Sequence, residues 1–252
     1  MLARILLVFF LVQLAPSALA EDTLDWKLVS DRNGIQVYMK HTDDSRLKTF
    51  KGVTRLNQSD EYSAVALLED YESYPAWLHL IDGAKEIKRD TPLRRWVRFT
   101  TQLPWPLRDR EAVVEARVVQ SVAPEEESMT AYIINAPGTL PANDEYIRFP
   151  EIEGFIRATR LSNDEVEVVY QIVLDPGGYI PAWLVNILMR DAPYFTLEKL
   201  RRIIKRPEYA NQYYDWLEMR GPGRPEDIPP APSYIYGAPP EAPMIIQPET
   251  AD

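Results

Sequence analysis

Residues 175–186 read Asp175-Pro176-Gly177-Gly178-Tyr179-Ile180-Pro181-Ala182-Trp183-Leu184-Val185-Asn186. Just before them, residues 165–174 are rich in valine and other β-branched or aromatic residues and read as a strand. Just after them, Leu184 to Lys205 reads as a long helix, with Pro193 expected to kink it because proline cannot donate to the helical ladder. The twelve residues are therefore a strand-to-helix junction. Gly177-Gly178 supplies its turn, since glycine accepts positive φ without steric cost. Asn186 reads as a hydrogen-bonding residue of the helix and not as a catalyst.

Working back from the junction, the chain is strand after strand. Residues 84–90, 94–103, 111–121, 127–136, 145–149, 154–161 and 165–174 are short runs with β-branched and aromatic residues, punctuated by Pro, Gly, Asn and Asp. The gaps are too short for crossover helices, so the sheet is expected to be antiparallel. Further back, Asp31-Arg32-Asn33-Gly34 is a turn signal, with strands at Ile35 to His41 and Leu47 to Arg55. Ser59 to Tyr71 reads as a helix capped by Ser59, with Ala64, Leu67, Leu68 and Tyr71 on one face and Tyr74-Pro75 ending it. The order gives an α+β domain in which a curved sheet wrapped on a helix leaves room for a ligand cavity.

The ends of the chain differ from this middle. Arg4, the apolar run Ile5 to Leu14 and Ala18-Leu19-Ala20 form a signal-peptide pattern with cleavage after Ala20, so residues 1–20 are set aside and export to the periplasm or outside the cell is expected. Residues 21–206 form the domain and 207–220 an aromatic-rich extension, read as a short helix with Tyr209, Tyr213, Trp216 and Leu217. Residues 221–252 hold nine prolines and are expected to be extended or disordered. With 252 residues and 46% apolar side chains, one domain with a substantial core fits the length. There is no cysteine, which excludes disulfides, thiol nucleophiles and thiolate metal sites.

Without Arg4 the chain carries 27 basic and 38 acidic residues, a net charge near −11. That balance argues against nucleic acid as a partner and against static binding to anionic membranes. Two local basic clusters stand out: Lys85, Lys88, Arg89, Arg94, Arg95 and Arg98, and then Arg201, Arg202, Lys205 and Arg206. They are solvated faces or sites of transient contact with a membrane surface.

Three segments carry a resemblance to a known family. Leu103-Pro104-Trp105-Pro106-Leu107-Arg108-Asp109-Arg110 resembles the Pro-aromatic-Pro…Arg-Asp loop of START domains, Gly154-Phe155-Ile156-Arg157 their Gly-x-Ile-Arg strand, and residues 175–186 their strand-to-helix junction. Ala192-Pro193-Tyr194-Phe195 fits the same helix, and the likeness spans residues 24–206. It implies a helix-grip fold: a curved antiparallel sheet of about nine strands holding the C-terminal helix over a hydrophobic tunnel for one lipid, with no cofactor. Arg108 matches a loop arginine that in the phosphatidylcholine carrier helps hold phosphate; its other reading is a structural pair with Asp109 or another carboxylate. Leu103 stands where that carrier has tyrosine, and Phe99 and Val114 fall near the charged pair of sterol-binding members. Gln102 and Arg98 are candidate polar substitutes. Trp105 on the loop, and Trp183, Leu184, Ile187 and Leu188 on the gating helix, complete the candidate ligand contacts.

Catalytic patterns are not recognisable. His41 and His79 are the two histidines and lack ligand spacing, and no Ser-His-Asp arrangement, glycine-rich phosphate loop or zinc motif is present. A non-catalytic binding or transfer module is the leading reading. An enzyme of the wider superfamily, such as an aromatase/cyclase, and an interaction protein working through the proline-rich tail are the alternatives.

Overall fold

The computed structural model describes residues 26–41, 48–57, 62–123, 126–178, 180–210 and 212–218. Residues 1–20 and 221–252, on which the export and tail readings rest, lie outside the described residues, as do Ser59 and Tyr179. Ten strands form one sheet: β1 Lys27–Arg32, β2 Ile35–His41, β3 Lys48–Asn57, β4 Ile81–Thr91, β5 Arg94–Thr101, β6 Arg110–Ala123, β7 Glu126–Asn135, β8 Ile147–Arg148, β9 Glu151–Arg160 and β10 Glu165–Asp175. The spatial order is β1-β2-β3-β10-β9-β7-β6-β5-β4, with β8 paired to β6. Every pair on this path is antiparallel, as short connections require. The two-residue β8 is the exception: it runs parallel to β6 because residues 136–146 carry the chain back before it pairs.

The helices are α1 Tyr62–Glu69, α2 Tyr74–Trp77 and α3 Ala182–Ile203. Tyr74-Pro75 does not end a helix, as the sequence suggested, but begins α2, with Pro75 in a first turn whose N–H groups need no helical partner. The strand β1 was also not anticipated; Asn33-Gly34 joins it to β2 as a tight hairpin. Residues 207–209 make one 3-10 turn, and 212–218 continue without the expected helix. This segment still packs: Leu217 is buried with Tyr62, Val65, Leu93, Val118 and Met129, and Tyr209 Oη donates to Asp70 Oδ2 at 2.7 Å.

The core lies between the concave face of the sheet and α3. Val185, Met189, Ala192, Pro193, Leu197, Leu200 and Ile203 make a continuous buried stripe along the helix at i, i+3/i+4 spacing. The helix comes closest at β3. A Cβ placed on Gly52 would lie 2.7 Å from Leu197 Cδ1 and 2.8 Å from Pro193 Cβ, so only glycine lets the two backbones approach this far. At the other end, Asn186 Oδ1 accepts from the Lys48 N–H at 3.2 Å. The junction follows its sequence: Gly177 and Gly178 both have positive φ, 62° and 68°.

Candidate functional site: an apolar cavity beneath α3

A cavity of about 90 Å³ lies under the first half of α3. Its floor is the sheet, through Phe99 and Thr101 of β5, Ala112 of β6, Ile133 of β7, Ile152 of β9 and Tyr170, Ile172 and Leu174 of β10. Its roof is Val185, Leu188, Met189 and Ala192 of α3, and its sides are residues 78–81, Leu103, Phe149, Pro176 and Ile180. Strand alternation explains the floor: on β10 residues 170, 172 and 174 share one face. A second cavity of about 40 Å³ continues the line under the far half of α3, between Leu200, Ile204, Trp77, Met129 and Val168.

The lining of the larger cavity is almost wholly apolar. Among the described residues its polar side chains are Thr101, Tyr170 and His79, and no Asp, Glu, Lys or Arg lines it. Burial, helped by the nearby Lys199 charge, lowers the His79 pKa from 6.5, so the ring is neutral at pH 7. Its ring packs 5.1 Å from Phe195, and its backbone N–H donates to Thr196 Oγ1 at 3.2 Å. The neighbouring Leu80 has φ 67°, a conformation that costs a non-glycine residue energy and marks a strained rim.

Two of the residues named from sequence, Phe99 and Leu188, line this cavity. The others lie around it. Trp183 and Ile187 are 64% and 47% exposed, and Leu184 is half-buried outside the lining. The helix faces the cavity with 185, 188, 189 and 192, one residue on from the stripe 183, 184, 187 and 188, a rotation of about 100°. The signal was present: the stripe from Val185 continues through Pro193 and Leu197, whereas the one from Trp183 meets Arg190 and Asp191. Trp105 is 92% exposed, and Gln102 is exposed beside it.

Arg108 is exposed and its Nη2 donates to the Asp144 carbonyl at 2.5 Å, not to Asp109. Asp109 Oδ1 instead accepts the Leu103 N–H at 3.1 Å. The buried arginine of this loop is Arg110. Its guanidinium donates to the carbonyls of Pro176 and Gly177, both at 3.3 Å, and to that of Arg108. It ties the Trp105 loop to the turn that starts α3. Sequence reasoning passed over it because two arginines share the loop and strand register alone decides which is buried.

The basic run on β4 and β5 is closely matched by carboxylates. Arg89 pairs with Glu69 and Glu86, each at 2.6 Å, and Arg95 pairs with Glu69. Arg94 pairs with Glu115 at 2.9 Å, and Arg98 with Glu111 at 2.6 Å. Arg148 reaches the other oxygen of Glu111 at 2.6 Å. Burial alone would raise the Glu111 carboxyl, but bonds from Arg98, Arg148 and the Asn143 N–H outweigh it and hold it below the usual range.

A curved sheet closed by a long C-terminal helix over an apolar cavity defines a helix-grip domain. The chain is 31% identical to an uncharacterized protein of Pseudomonas aeruginosa over 187 residues, which are 74% of this chain and 89% of that protein. Its structure is similar to that of a STAR-related lipid transfer protein from Xanthomonas axonopodis, with 27% identity and a TM-score of 0.65, over 72% of this chain and 99% of the other. Human StAR-related lipid transfer protein 5 shares the fold at 17% identity and a TM-score of 0.60, over 74% and 92% of the two chains. No family model matches. The chain has the fold of the START, or STAR-related lipid transfer, domains.

Proposed function

We propose that the protein is a non-catalytic carrier that holds one hydrophobic molecule beneath α3 and passes it to or from a membrane. The observation that carries this is the apolar cavity between α3 and the sheet, with three polar side chains in its lining. Each methylene moved from water into such a lining is worth about 0.8 kcal/mol, so even a short acyl chain gains several kcal/mol. The names of the solved relatives, lipid transfer proteins, point the same way.

Transfer requires an opening and a place to dock. The Trp105 loop and the first turns of α3 are the parts of the cavity wall that expose large apolar side chains, Trp105, Trp183 and Ile187. Tryptophan suits a membrane interface because its ring is apolar and its N–H is polar. Export is part of the proposal and rests on residues 1–20.

Native mass spectrometry of the purified mature chain, followed by solvent extraction, tests the carrier reading. One apolar molecule per chain is expected. A protein that arrives empty and takes up no lipid from vesicles overturns it.

A further inference from the structure

Among the described residues, two hydroxyl groups at the main cavity have no hydrogen-bond partner. Tyr170 is 6% exposed, lines the cavity from β10 and makes no hydrogen bond among the described residues. Burial alone pushes its phenol pKa up, with no neighbouring charge or hydrogen bond contributing. Thr101, on the opposite flank at β5, is also buried, and its Oγ1 has no partner. Two other buried hydroxyls of this core are paired: Tyr74 Oη donates to the Leu68 carbonyl at 2.7 Å and Thr54 Oγ1 to that of Gly34 at 3.0 Å.

A buried hydroxyl left unpaired costs free energy, and most buried polar groups in native proteins have a partner. A phenol can donate to, or accept from, one uncharged oxygen function. A charged head placed in this cavity meets the opposite situation. It would lose its hydration, and no side chain of opposite charge lines the walls to replace it. His79 is neutral at pH 7 and offers only an uncharged partner.

We infer that the cavity selects an uncharged lipid whose polar end is a hydroxyl or carbonyl oxygen, held by Tyr170 Oη, over phosphate-headed lipids of the same chain length. The inference rests on the carrier reading and narrows its ligand. Thr101 is the second hydroxyl at the same cavity.

The test is displacement of Nile red from the mature chain by 1-tetradecanol, 2-tetradecanone, tetradecane and tetradecyl phosphate, each below its micelle concentration. The alcohol or the ketone is expected to compete at about 5-fold lower concentration than the alkane, the worth of one neutral hydrogen bond. The phosphate is expected to be the weakest of the oxygen-bearing competitors. Which of alcohol and ketone is stronger identifies the preferred oxygen function. Tyr170→Phe removes only the unpaired hydroxyl and should abolish the advantage over tetradecane. A phosphate that competes as well as the alcohol, or an advantage that survives in a folded Tyr170→Phe, overturns the inference and leaves the carrier reading standing. If Tyr170→Phe does not fold, the ranking of the four competitors on the native chain decides alone. A native chain displaced by none of them overturns both readings.

Discussion

Gly52 on β3 sits directly beneath Pro193 of α3, with no room between them for a methyl group. The contact fixes how near the helix lies to the sheet, and therefore how deep the cavity beside it can be. Gly52→Ala is expected to destabilise the domain by about 1–3 kcal/mol, the usual cost of overfilling a packed core. Strand propensity favours alanine over glycine, so a stabilised variant in a guanidinium melt would show that α3 is not seated on β3 in this way.

Glu111 links stability to pH. Its carboxyl is held low, so the folded state keeps it charged; the stabilisation is present above the usual value of 4.5 and drains away as pH falls below it. Glu86 and Glu115, also held low by arginines, act in the same sense. Glu151 and Glu153 are raised by burial and by neighbouring carboxylates and act in the opposite sense. Glu111→Gln isolates one contribution. At pH 7 it should cost about 3 kcal/mol, because Arg98 and Arg148 lose a buried partner. The gap between variant and native melting temperatures should narrow from pH 5 to pH 3, and a gap constant with pH would contradict the assignment.

The segment after α3 is part of the packed domain. Removing everything after Arg206 takes away buried Tyr209 and Leu217 and the bonds between Gln120 and the backbone of Trp216 and Glu218. Burial of those two side chains is worth about 3 kcal/mol or more. The melting temperature should fall by about 6–12 °C for a domain this size. Truncation after Arg220 is the companion measurement; from composition, residues 221–252 should add no more than about 2 °C.

Export makes a separate prediction. Sequencing of the protein from its native host should find Glu21 as the first residue. A cytosolic fraction that begins at Met1 or Leu2 would exclude a cleaved signal.

Much of the fold was legible because the sheet advertises itself. Residues 165–174 are rich in valine and other strand formers, and Gly177-Gly178 can hardly serve anything but a positive-φ turn. The phase of α3 was harder. Over its first two turns both stripes are apolar, and only the register beyond Arg190 separates wall from surface. The cavity's polar groups were hidden for another reason. Tyr170 looks like any inward residue of an alternating strand, and whether its hydroxyl finds a partner depends on strands and a helix far away in sequence. His79 reaches the cavity from the short segment between α2 and β4, a position that no ligand-spacing rule anticipates.

The guanidinium groups of β4 and β5 have a consequence for encounter with other bodies. Each of Arg89, Arg94, Arg95 and Arg98 has a carboxylate oxygen within 3 Å, so the pairs act as short dipoles whose fields cancel quickly with distance. Counterions damp what is left over a length of about 10 Å at 0.1 M salt. A bilayer rich in anionic lipid therefore exerts little pull on this side at long range, and the net charge of −10 repels it. On the proposed carrier reading, first contact with a membrane would be left to undirected diffusion, and the time spent at the surface would be set by how far the exposed Trp105 and Trp183 sink into it.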